Sequence, residues 1–164
     1  MKVIFLDIDG VLNSDEYINK MKESNVKGIE KAVDAQKIRL LKRAIDETGA
    51  KVVLTSSWRL TKYLPHLKQL LLQNGVFLTD TTKFLENERG EEIKLWISEN
   101  KDTEDFVILD DEIFDSYDEN LINKLIKISN GNGKGLGEGL QKEDVKKIIQ
   151  RLGRIKQLEE QDER

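Results

Sequence analysis

The chain has 164 residues, a formal net charge of −4, and 38% hydrophobic against 35% charged residues, which suits one domain with a proper core. That mild acidity argues against a broad nucleic-acid-binding face, which is normally basic, but leaves room for a phosphate-terminated strand entering a small pocket. With no cysteine and a single histidine, His66, there is no disulfide, Ser-His triad, Cys-His pair or zinc cluster, so any catalysis falls to carboxylates, hydroxyls, cationic side chains and a hard metal such as Mg2+.

Lys2 to Asp7 reads as a buried parallel strand that runs into two aspartates spaced by one residue, Asp7 and Asp9, followed by Gly10-Val11-Leu12-Asn13. A Gly turn with an Asx cap explains Asp9 and Gly10 but not Asp7. Burying two carboxylates at a strand end costs several kcal/mol (~2 or more) unless a cation or proton joins them. Residues 14–34 are polar and predict a small flap over that strand end. Asp34 offers an N-cap to a helix through Ile38, Leu41, Ala44 and Ile45, which Gly49 closes. His66 falls on a solvated face of a later helix.

Lys51 to Leu54 is a second buried strand, ending in Thr55-Ser56-Ser57-Trp58-Arg59. A helix follows through Leu64, Leu67, Leu70 and Leu71, with Pro65 in its first turn and Gly75 as its stop. Val76 to Leu78 predicts a short third strand. Arg89-Gly90 precedes a helix that buries Ile93, Trp96 and Ile97 on one face. Phe106 to Leu109 is a clear buried strand ending in Asp110-Asp111, and Asp115 serves as N-cap of the next helix. Leu125 to Ile128 is the last strand, residues 130–139 form a Gly-rich loop, and Val145, Ile148, Ile149 and Leu152 mark a final helix. The loop lacks the Gly-Lys-Ser/Thr ending of a phosphate loop and reads as flexible, with Lys134 able to swing toward an anion. Residues 153–164 read as a charged tail.

Strand and helix alternate throughout, which predicts an α/β fold: a doubly wound, Rossmann-like parallel sheet with helices on both faces. In such sheets ligands gather beyond the carboxyl ends of the strands. Three polar clusters therefore converge there: Asp7-x-Asp9, Thr55-Ser56-Ser57 and Asp110-Asp111. That convergence is specific where each cluster alone is weak.

Asp7-Ile8-Asp9-Gly10-Val11-Leu12-Asn13 resembles the first motif of the haloacid-dehalogenase-like (HAD) phosphohydrolases. Ser56, with Thr55 beside it, resembles the hydroxyl of their second motif, Arg89 the cation of the third, and Asp110-Asp111 the acidic fourth. Ser-Ser-Trp-Arg at 56–59, Arg-Gly-Glu-Glu-Ile-x-x-Trp-Ile at 89–97 and Val-Ile-Leu-Asp-Asp at 107–111 are similar to the HAD domain of Swiss-army-knife RNA repair proteins. The likeness spans 1–152 and implies a HAD-like domain without a large cap.

That likeness implies a Mg2+-dependent phosphomonoesterase acting through an aspartyl-phosphate. Asp7 is then nucleophile and metal ligand. Asp9 is acid–base, with its backbone carbonyl on the metal. Asp111 and Asp110 complete the metal site, one of them directly and the other through water or as support. Ser56 and Arg89 hold the phosphoryl group, Thr55 competes with Ser56 for that task, and Ser57, Asn13 and Arg59 are further candidate substrate contacts. The residues alone leave Asn13 to touch substrate or close the turn, and Arg59 to bind a phosphate or pair with an acid. Trp58 either stacks on a leaving group or packs in the core; Trp96 is core.

An uncapped site admits a nucleic-acid end as its phosphomonoester substrate. The competing reading is a phosphatase of nucleotides or sugar phosphates. A receiver-like signalling module fits poorly, because its acidic pair would follow the first strand and its phospho-acceptor would lie mid-chain. A silent phosphate-binding module is the remaining non-enzyme reading. No run approaches the roughly 18 apolar residues of a membrane span, and Met1-Lys2 opens directly on the strand, so the expectation is a cytoplasmic protein, as a monomer.

Overall fold

The computed structural model describes residues 1–131 and 135–156. Five strands pair in parallel in the order β3-β2-β1-β4-β5, with β1 (Lys2–Leu6) central between β2 (Lys51–Leu54) and β4 (Asp105–Asp110). β3 (Leu78–Thr81) and β5 (Leu125–Lys127) form the edges. Between successive strands run α1 (Asp15–Lys22), α2 (Ala35–Thr48), α3 (Leu64–Gln73), α4 (Arg89–Glu99) and α5 (Glu119–Lys124), and α6 (Lys142–Leu152) follows β5.

Side chains alternate across a strand, so each strand feeds two cores. Ile4, Leu6, Val52, Leu54, Val107 and Leu109 point to one face and meet Ile38 and Leu41 of α2, Leu67 and Leu71 of α3, and Val145 and Ile148 of α6. Val3, Phe5, Val53, Phe106 and Ile108 point to the other, against Ile93 and Trp96 of α4 and Leu121 of α5. There Phe5 meets Trp96 and Phe106 edge-on, at centroid distances of 5.5 and 5.6 Å. Burial on both faces explains why these strands read as continuous apolar runs. The expected doubly wound α/β fold is what forms.

Register brings the polar clusters to one edge. Leu6 lies opposite Leu54 on one side and Leu109 on the other. The next amides continue the ladder: Thr55 N donates to Leu6 O at 2.9 Å, and Asp7 N to Leu109 O at 3.0 Å. Asp7, Thr55 and Asp110 therefore stand side by side.

Several boundaries differ from expectation: β1 stops at Leu6, β4 runs from Asp105 to Asp110, and α4 begins at Arg89 itself. The third strand begins at Leu78, because the amides of Gly75 and Val76 are spent on Leu72 O and Leu71 O at the end of α3. Val76 is buried without being in the sheet. The cap of α5 is Asp118, whose carboxylate accepts from Leu121 N at 2.9 Å; Asp115 lies in the turn before it. The last strand stops at Lys127, though Ile128 N still donates to Asp110 O.

Of the Gly-rich loop, the Asp15 carboxylate accepts from Leu136 N and Gly137 N. Lys134 and tail residues 157–164 lie outside the described residues. Among the described residues no helix is long and apolar enough to cross a membrane.

Candidate active site

Asp7, Asp110 and Asp111 are buried at the carboxyl edge of β1 and β4, and one carboxylate oxygen from each lies within 4.8 Å of the others. Gly10 makes room for this. It turns the chain at φ +82°, and a Cβ there would stand 2.2 Å from Asp111 Oδ2. Only glycine satisfies both demands.

Among the described residues, one cation faces the three acids. Arg89, in the first turn of α4, sets Nη1 2.8 Å from Asp110 Oδ2 and 3.6 Å from Asp7 Oδ1. Its guanidinium also lies over the Phe114 ring at 4.5 Å. The helix can approach because Gly90 has no side chain: a Cβ there would meet Ser116 O at 2.2 Å. The other oxygen of Asp110 accepts from Glu112 N at 3.1 Å, so both its oxygens have partners.

Burial dominates the protonation of the cluster. It pushes the Asp7 carboxyl up from 3.8 to about 6 against the pull of Arg89. It pushes Asp110 up to about 8, with repulsion from Asp7 adding to it. Asp111 is raised too, by burial first and then by Glu112. Three acids against one guanidinium leave negative charge in excess. An all-oxygen donor set of this charge fits a hard divalent cation such as Mg2+ and suits a soft metal poorly.

Asp9 is exposed, and two donors aim it: Asn13 Nδ2 at 2.9 Å on Oδ1 and Trp58 Nε1 at 3.2 Å on Oδ2. Asn13 is itself buried. Its Oδ1 accepts from Gly10 N at 2.8 Å, and Nδ2 also reaches Ala32 O. With its polar atoms spent this way, Asn13 closes the turn and orients Asp9; the substrate contact expected of it gives way to that role.

The hydroxyl cluster divides. Thr55 is fully buried with Oγ1 on Leu6 O at 3.1 Å, so the structure corrects its candidacy as a phosphate holder. Ser56 Oγ accepts from Trp58 N at 3.2 Å, and its O–H remains free to donate. Ser57 is exposed at the start of a 3-10 turn, Ser57–Leu60. Arg59 turns inward. It donates to Thr82 O at 2.9 Å, Thr55 O at 2.5 Å, Ser56 O at 3.0 Å and the Glu92 carboxylate. The acid pairing weighed for Arg59 is what forms, and four of its five N–H donors are spent inside the protein.

Sequence reasoning missed Glu92 and Tyr117. Glu92 lies one turn before Trp96 on the buried face of α4, and a lone acid on an apolar face is the signal that finds it. The Tyr117 hydroxyl is buried, with its ionisation pushed up by that burial and by Asp110; no sequence signal distinguishes it from an ordinary aromatic.

The family model described as "HAD domain in Swiss Army Knife RNA repair proteins" matches residues 3–145. No curated protein and no solved structure matches the chain.

Proposed function

The chain belongs to the family of HAD domains in Swiss Army Knife RNA repair proteins, and on that premise we propose a Mg2+-dependent phosphomonoesterase that removes phosphate from nucleic-acid ends. The observation that carries this reading is the meeting of Asp7, Asp110 and Asp111 under the Arg89 guanidinium at one strand edge. Asp7, Asp111 and Asp110 would hold the ion with the Asp9 carbonyl, and once bound it neutralises phosphoryl oxygens that otherwise repel a carboxylate. Asp110, with both oxygens already engaged, suits the supporting role better than Asp111 does.

Asp7 attacks phosphorus in line, and the bond from phosphorus to the leaving oxygen breaks. Asp9 gives that oxygen a proton. The product is an aspartyl-phosphate on Asp7 and a free alcohol. Asp9 then takes a proton from water, which attacks phosphorus and releases Asp7 and inorganic phosphate. The Ser56 hydroxyl and Arg89 hold the phosphoryl oxygens where charge develops. Asn13 and Trp58 keep the Asp9 carboxylate aimed at the leaving oxygen.

The test is a panel with Mg2+ of 3′- and 5′-phosphorylated oligonucleotides, mononucleotides, sugar phosphates and an aryl phosphate. Phosphate release from oligonucleotide ends supports the reading. Release confined to mononucleotides or sugar phosphates overturns the nucleic-acid part, and none from any substrate overturns the enzyme.

A further inference from the structure

A groove of about 400 Å3 is lined by Trp58, Tyr63, His66, Gly28, Ile29 and Ala32, and Trp58 links it to Asp9. That volume falls within the range of small-ligand sites, roughly 300–1,000 Å3. We propose that this groove seats the nucleobase of the nucleotide that bears the scissile phosphate, an inference that rests on the phosphatase reading.

Continuity with the catalytic edge is the first argument. Trp58 forms a wall of the groove and also donates its Nε1 to Asp9 Oδ2, so whatever lies against the indole lies next to the proton-handling carboxylate. A base joined through its sugar to the phosphate on Asp7 has its place there. The second argument is the chemistry of the walls. Trp58 and Tyr63 are 6.4 Å apart between centroids and tilted by 59°, so the two rings are not stacked flat on each other. Tyr63 is half exposed and His66 exposed, beside apolar Ile29 and Ala32. Aromatic side chains beside apolar residues take a flat π-system in preference to a hydrated sugar.

Charge is the third argument. Lys62 holds its ammonium over the ring of Tyr63, a wall residue of the groove, 5.4 Å from the centroid. A chain continuing past the seated base would bring its next phosphate toward that charge. The groove thus suits a base on an anionic backbone, and stacking of this kind is sequence-tolerant because every base has a π-face.

The experiment compares kcat/KM, with Mg2+, for base-bearing and abasic substrates. One arm sets a nucleoside monophosphate against ribose phosphate; the other sets a phosphorylated oligonucleotide end against the same end with a terminal abasic site. We expect a preference of about ten-fold or more for the base, expressed mainly in KM, in whichever arm contains the natural substrate. Tyr63→Ala should reduce that preference toward unity, and Tyr63→Phe should keep it. Equal hydrolysis of base-bearing and abasic substrates overturns the groove assignment while leaving the phosphatase intact. If no substrate is hydrolysed, the phosphatase reading fails and tryptophan fluorescence decides the groove separately. Quenching by a nucleoside monophosphate but not by ribose phosphate, lost in Trp58→Phe, supports base binding; equal or absent quenching overturns it.

Discussion

The indole Nε1 of Trp58 donates to Asp9 Oδ2 at 3.2 Å, while Asn13 Nδ2 holds the other oxygen at 2.9 Å. An exposed carboxylate, free to rotate in most proteins, is here fixed from both sides. Its position is set by a residue in its own turn and by another that follows β2.

Asn13→Ala tests that arrangement. It leaves Gly10 N without its acceptor and releases one oxygen of Asp9. Stability should fall by about 1–3 kcal/mol, the usual effect of leaving a buried donor unpaired. For phosphate release, kcat should drop while KM changes little, because Asp9 acts in the bond-breaking step. A rise in KM alone would mean that Asn13 binds substrate.

Gly10→Ala should be more damaging. The φ of +82° disfavours any side chain, and the new methyl collides with Asp111 Oδ2. Strain of this kind costs about 1–3 kcal/mol, and the displaced acid should also weaken Mg2+ binding. Calorimetric titration of Mg2+ alongside a thermal melt measures both effects. Unchanged Mg2+ affinity would show that Asp111 does not hold the ion.

Arg59 and Glu92 offer a contrast between buried and surface pairs. Their side chains are 4% and 2% exposed, so Arg59→Ala abandons a buried charge and should destabilise by about 3–5 kcal/mol in urea titration. The exposed Lys83–Glu99 pair should behave differently. Lys83→Ala is expected to change stability by less than about 1 kcal/mol.

The cluster should also tie stability to pH when metal is removed. Asp7 is raised to about 6 and Asp110 to about 8 from 3.8, so between those values the folded chain binds more protons than the unfolded one. Stability then declines as pH rises from about 4 to about 8. In chelator, the wild-type melting temperature should fall across this window relative to Asp110→Asn. Saturating Mg2+ should flatten the decline, since the ion displaces the protons. A parallel trend in both proteins would remove the cluster as its source.

Much of this was legible in the chain itself. Val3–Leu6, Val52–Leu54 and Phe106–Leu109 are apolar on both faces, which only a doubly covered parallel sheet explains, and parallel pairing then forces Asp7, Thr55 and Asp110 to one edge. Arg89 was legible only through its place in the order of motifs, because the sequence reads it as preceding the helix that it begins. What the chain hid were choices made by individual side chains. Thr55 and Ser56 are adjacent hydroxyls, and only the position of Leu6 O decides which is consumed. The inward turn of Arg59 depends on Glu92, 33 residues away. The late start of β3 depends on how the last turn of α3 claims Gly75 and Val76, a local competition that apolar patterning does not record.

The most direct test follows the phosphoryl group itself. The Mg2+-loaded protein, quenched in acid during turnover of a phosphorylated oligonucleotide, should carry phosphate on Asp7 by peptide mass spectrometry, and folded Asp7→Asn should carry none and release none. Turnover at the wild-type rate by Asp7→Asn, with no phosphate on that peptide in the parent protein, would contradict the account.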